Sequence, residues 1–174
     1  MANELYTRTN QKLYFAGLAL EAWRKAEQGR PMNAQALIQA EREVALFHLY
    51  GAVLGLCHEI TGYYRLPQAN VLQVEALLTA EVLIAAPNPE LAELVELAQH
   101  SETWLAQLLA AYRGLFLPPR ETKPAKSAPA DEQSGLIEAV ALDESADPGH
   151  VELEAWRQSL KALALRYRAA LSEC

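Results

Sequence analysis

The side chains best suited to chemistry in this chain are four histidines, His48, His58, His100 and His150, set among 22 Asp and Glu residues. A di-metal centre in a helical protein uses inward-facing Glu together with Glu-x-x-His, because residues three apart share a helix face. Glu96 and His100 come nearest to that pattern, but three residues separate them where two are needed. Glu41 and Glu43 stand at the wrong offset from His48. With these ligands missing, neither a metal nor another cofactor is expected.

Two further patterns centre on His48. Arg42 and His48 form an Arg-x5-His sequence, which resembles the active-site motif of helical ribonucleases of the HEPN group. Six helical positions turn about 600°, so the two side chains do not share a face within one helix. Catalysis in that group usually draws on a second subunit. FHLYGA, with His48 and Gly51, superficially resembles the exposed histidine of a phosphorelay helix, but Tyr50 stands where a basic residue is wanted. A hydrogen-bonded core histidine explains His48 more economically than either. No phosphate-cradling glycine loop, paired metal-type cysteines or nucleophile elbow is present.

These residues sit on helices. Val44 to Cys57, VALFHLYGAVLGLC, is a fourteen-residue run with no formal charge and no proline. A helix apolar on every side must be surrounded, and fourteen residues fall short of the roughly 20 that cross a bilayer. The run therefore reads as the central helix of a soluble, all-α antiparallel bundle of about five helices, with its middle hidden from water on all sides. The first helix spans about Ala2 to Gln28, with Leu13, Ala16, Leu20 and Trp23 on one face and Gly29 as C-cap ahead of Pro31. The second runs from an Asn33 cap to about Tyr64, and the third from an Asn70 cap to about Ala85. A fourth follows Asn88 and Pro89 and repeats apolar residues to Leu115 at nearly heptad spacing, as in a coiled coil. Short connections place sequence neighbours antiparallel. Gly51 and Gly55 mark a close helix crossing, so a residue larger than Ala at Gly51 should cost about 1–3 kcal/mol through overpacking. LEAWR occurs at both Leu20–Arg24 and Leu153–Arg157, an echo that good helix formers produce by coincidence.

Residues 1–117 thus form the bundle core and 118–147 a flexible acidic, Pro-rich linker, whose only apolar side chains larger than Ala or Pro are Leu136, Ile137, Val140 and Leu142. Those four either dock on the bundle or await a partner, and docking is slightly preferred. Residues 148–174 form a last helix that packs back through Leu153, Trp156, Leu160, Leu163, Tyr167 and Leu171. Charge is segregated: no Lys or Arg occurs from Leu66 to Tyr112, whereas the last helix carries Arg157, Lys161, Arg166 and Arg168. That basic flank should lie near the acidic third or fourth helix, or face an acidic partner.

The formal net charge of -7 argues against a protein that binds nucleic acid by neutralising many phosphates. Two cysteines, Cys57 and Cys174, make no disulfide framework. The amino terminus lacks the basic-then-apolar order of a signal peptide, and no segment reads as a membrane span, so a reducing cytoplasmic setting is expected. The opening ANELYTRTNQKLYFAGLALEAW resembles that of an uncharacterised family of small bacterial helical proteins. The resemblance implies a bacterial cytoplasmic protein and transfers no activity. These readings point to a non-enzymatic interaction or adaptor protein. Its protein partner would engage Leu136, Ile137, Val140 and Leu142 or the basic residues Arg157, Lys161, Arg166 and Arg168. The alternative is a HEPN-like RNA-cleaving or metal-binding enzyme in which Arg42 and His48 are the catalytic candidates. Tyr14, Phe15 and Leu18, beside the main stripe of the first helix, leave room for a homodimer.

Overall fold

The computed structural model describes residues 2–118 and 147–172, with side chains from Leu5 onward. Among these residues there are seven helices and no strand: α1 (Ala2–Gly29), α2 (Ala34–Tyr63), α3 (Val74–Leu77), α4 (Ala80–Ala85), α5 (Pro89–Gln99), α6 (Trp104–Gly114) and α7 (His150–Ser172). The acidic stretch containing Leu136, Ile137, Val140 and Leu142 lies outside the described residues.

Local sequence chemistry explains the helix boundaries, including those that depart from expectation. The single helix expected over 70–85 is two. Thr79 adopts an extended backbone and its hydroxyl accepts from the Val82 amide at 3.2 Å, which starts α4 afresh. Gln73, not Asn70, precedes α3, and the first α3 amide is capped from elsewhere in the fold: Val74 N donates to Tyr50 Oη at 3.0 Å. The long fourth helix is likewise divided. His100 is extended, and the Thr103 hydroxyl accepts from Ala106 N while donating to the carbonyls of Leu97 and His100, so α5 ends and α6 begins there. Asn88 caps α5 as its sequence indicates, accepting from Leu91 N at 2.8 Å. Helix α1 continues one residue further than expected, through Gly29. The left-handed turn falls on Arg30, φ 43°, a backbone conformation that would suit glycine better.

Contacts fix the helix directions. Along α1 and α2, Gly62 meets Leu5, Gly55 meets Thr9, Gly51 meets Lys12, and His48 meets Phe15. Rising numbers on one helix pair with falling numbers on the other, so the two run antiparallel. Helix α7 runs antiparallel to α1 as well, from His150 beside Trp23 to Arg168 over Tyr6. The core between these helices contains Leu46, Leu49, Val53, Leu56 and Ile60 of α2, with Leu105 and Leu108 of α6 and Leu153 and Leu160 of α7, each almost wholly removed from water. Burial of such side chains is the dominant favourable term in folding.

Of the two α2 glycines at this crossing, Gly55 sits the closer to α1. A Cβ at Gly55 would lie 2.6 Å from Thr9 Oγ1 and 3.3 Å from Thr9 Cα, so backbone meets backbone. At Gly51 a Cβ would meet only the methylenes of Lys12, at 3.1 Å, and that chain can swing aside. Thr9 is pinned because its hydroxyl donates to the buried carboxylate of Glu59. Glu59 also receives Arg168 of α7 through Nε and Nη2 at 2.8 and 2.7 Å, so one carboxylate ties three helices. Burying a charge is costly unless it is paired and hydrogen-bonded in this way.

Helix α2 also corrects the expectation that no segment could span a bilayer. By length and composition this 30-residue helix is long and apolar enough to cross one. Two thirds of its most apolar window is buried by the rest of the chain, which is how a core helix passes the same test.

Candidate functional site

The middle of α2 is not enclosed on every side. Ala45, Leu46, Leu49, Ala52, Val53, Leu56 and Cys57 are buried, but Val44 is 41% exposed and Phe47 51% exposed, with His48, Gly51 and Leu54 half-buried. Val44, Phe47, Gly51 and Leu54 recur at spacings of three and four, so they form one stripe along the helix. The sequence hides this stripe because its residues are as apolar as those they flank. In an amphipathic helix polar residues mark the outer face, and here none does.

Val44 and Phe47, the most exposed part of the stripe, line a groove of about 340 Å³. Glu43, Val44, Phe47 and His48 line it from α2, and Tyr112, Leu115 and Phe116 from α6 and its exit. On the α1 side, the Phe15 and Phe47 rings each stand 5.3 Å from the His48 ring. Tyr14 and Leu18 continue the apolar surface outward, 63% and 46% exposed, and Phe116 is 71% exposed at the other edge. Tyr112 is held rigidly, stacked at 3.9 Å on Tyr50, whose hydroxyl donates to Glu75 and accepts from Val74 N. Burial is the largest influence on that Tyr50 phenol, whose pKa is pushed up to about 12. Lys12 leans over Phe47 with Nζ 4.7 Å from the ring centre, a cation–π contact at the rim.

His48 is the polar centre of this surface and is suited to an uncharged role. Burial first, then the positive charges of Lys12 and Arg8, hold its pKa below the ordinary 6.5. Its Nδ1 is buried with no hydrogen-bond partner among the described residues. Arg42 reaches other neighbours: Gln39 and Asp147, each at 2.8 Å, and the Trp23 ring at 5.2 Å. His48 instead lies between the Phe15 and Phe47 rings. The remaining histidines are dispersed. His58 bonds the Val71 carbonyl, His100 the Glu96 carbonyl, and His150 lies against Trp23. Among the described residues, no three of His, Cys, Asp and Glu converge in a way that could hold a metal ion.

The basic residues of α7 serve mainly the fold. Arg157 pairs with Glu154 through two bonds of 2.8 Å and lies over Gly17. Arg168 is consumed by Glu59, and Arg166 reaches Glu93 of α5, the acidic helix that charge segregation along the chain indicates. Lys161 is exposed. With Asn10, Leu13, Tyr14 and Leu165 it lines a second groove, of about 350 Å³, between α1 and α7, where Arg157 and Arg168 form part of the wall. Sequence reasoning picked out Tyr14, Phe15 and Leu18 but missed Phe47, Tyr112 and Phe116. Their membership depends on α6 lying beside α2, which no local pattern encodes.

The described residues define an all-helical protein with an apolar aromatic groove. The chain belongs to the family of unknown function DUF6586, whose match covers residues 1–174. No curated protein and no solved structure matches it.

Proposed function

We propose that this protein is a non-enzymatic interaction protein, an adaptor built on an antiparallel helical bundle, and that its docking surface is the aromatic groove between α2 and α6. The supporting observation is the uncovered stripe of α2, the most apolar helix in the chain. Its buried neighbours show that the fold can enclose such residues, yet Val44 and Phe47 stay open to solvent. Exposed aromatics set in a groove are the usual anchors of protein recognition, because they bury much area for little conformational entropy. The groove suits an apolar polypeptide segment in which two or three side chains enter between Phe47 and Phe116. The α7 arginines contribute less, being engaged in internal ion pairs.

Affinity capture with the full chain and with a Phe47→Glu/Phe116→Glu variant of unchanged helicity tests this reading. Both positions are exposed, so the substitutions leave the core intact. A protein retained by the natural chain and lost from the variant is the expected result. Equal recovery from both, or no specific protein from either, overturns it.

A further inference from the structure

We infer that the α2/α6 groove takes this chain's own stretch Leu136 to Leu142 as an intramolecular occupant, which an outside partner must displace. This rests on the groove being a docking surface for a polypeptide segment, and it names the segment. One end of the 119–146 stretch leaves from the groove, and the other is tied to the helix that lines it. On one side the chain leaves it directly, since Phe116 lines the groove and Pro118 is the last residue described before the stretch. On the other side Asp147 is held by Arg42 at 2.8 Å, two residues before Val44 on the groove floor.

The tether is long enough. Leu142 stands five residues from Asp147 and Leu136 eleven, spans of up to about 18 and 40 Å when extended. From Arg42 to Phe47 the helix rises only about 7.5 Å. With one end leaving the groove and the other held on α2 near it, the local concentration is high, so modest apolar contact suffices. Composition selects the residues: between 119 and 146 only Leu136, Ile137, Val140 and Leu142 are apolar and larger than Ala or Pro. Charge is complementary as well. Residues 131–147 carry Asp131, Glu132, Glu138, Asp143, Glu144 and Asp147 and no Lys or Arg. Lys12 overhangs Phe47 on the α1 rim, and Arg8 is close enough to act on His48. Glu43 is the acidic side chain lining the groove and lies at the Arg42 end.

Disulfide trapping in the full chain tests this, with Cys174→Ser in the background and Cys57 buried. Ile137→Cys is paired with Val44→Cys in the groove or with Leu165→Cys in the α1/α7 groove. Trapping requires Cβ atoms to come within about 4.5 Å. The Val44 pair is expected to close within one chain at least tenfold faster than the Leu165 pair. Equal rates, or covalent dimers alone from the Val44 pair, overturn the inference; the dimers would identify a second copy as occupant. As a measurement without cysteines, Leu136→Asp/Ile137→Asp is expected to raise fluorescence of an apolar dye several-fold. Adding Phe47→Glu/Phe116→Glu should abolish the rise, and unchanged dye binding in Leu136→Asp/Ile137→Asp overturns the inference. Trapping without any groove-dependent partner would cost the protein its adaptor role and leave this inference standing. Partner capture without trapping does the reverse.

Discussion

Removing Arg168 should cost several kcal/mol of stability, about 3–5, because it strands Glu59. The Glu59 side chain is 1% exposed and that of Arg168 15%. Two guanidinium nitrogens bond the carboxylate at 2.7 and 2.8 Å, and after their loss the Thr9 hydroxyl is its remaining partner among the described residues. Breaking a buried pair from one side typically costs about 3–5 kcal/mol, since the desolvated charge survives without compensation. Loss of the packing of Arg168 over Tyr6, 4.7 Å to the ring centre, acts in the same direction. With a urea m-value near 2 kcal/mol/M, Arg168→Ala should lower the unfolding midpoint by roughly 1.5–2.5 M. A Glu59→Met/Arg168→Met double variant removes both charges and should recover most of the loss, because Thr9 retains the Leu5 carbonyl as acceptor. Urea unfolding followed by circular dichroism measures both. A loss under about 1 kcal/mol in the single variant, or a double variant as unstable as the single, would refute the view that α7 is clamped through this carboxylate. It would also return Arg168 to the partner-facing role that its charge alone implies.

The remaining predictions test the crossing, the groove and the core separately. Gly55→Ala should destabilise by about 2–4 kcal/mol, overpacking and loss of the Thr9–Glu59 bond outweighing the helix propensity gained. Gly51→Ala should be neutral to about 1 kcal/mol stabilising because Lys12 can yield, and thermal or urea unfolding of the pair would expose equal effects. His48 should titrate below 6.5 by NMR, with burial the first cause. A lowered histidine pKa means the unfolded chain takes up a proton the folded one refuses. Stability is therefore full above about 6.5 and falls as pH drops through 6.5 toward the folded value, a loss that His48→Gln should remove. A titration midpoint at or above 6.5 would contradict that environment. Burial pushes the Cys57 thiol up to about 12, so in a Cys174→Ser chain no thiol should react with a neutral-pH alkylating agent until urea unfolds the protein.

The boundary between what sequence reveals and what needs the fold runs through α2. Helix type throughout, the Asn88 cap and the buried stripe of α7 follow from local spacing and capping, which depend on a few neighbouring residues, whereas Asn33 precedes α2 without a side-chain cap bond. The breaks at Thr79 and Thr103 were equally local, since threonine followed by a helix-forming run is a start signal, but apolar periodicity running across them masked it. In Val44 to Cys57 every side is apolar, so the sequence shows that the run needs covering without showing which side is left uncovered. That was decided by where α1 and α6 pack, and so by contacts such as Phe15 with His48 and Tyr112 with Tyr50. The α7 arginines show the same limit. Their charge was legible from the sequence, but whether it faces a partner or a buried Glu59 depends on a residue 109 positions away. Local chemistry fixes which segments are helices and which faces avoid water, whereas pairing of distant side chains decides which faces remain free, because that pairing exists only once the chain has folded.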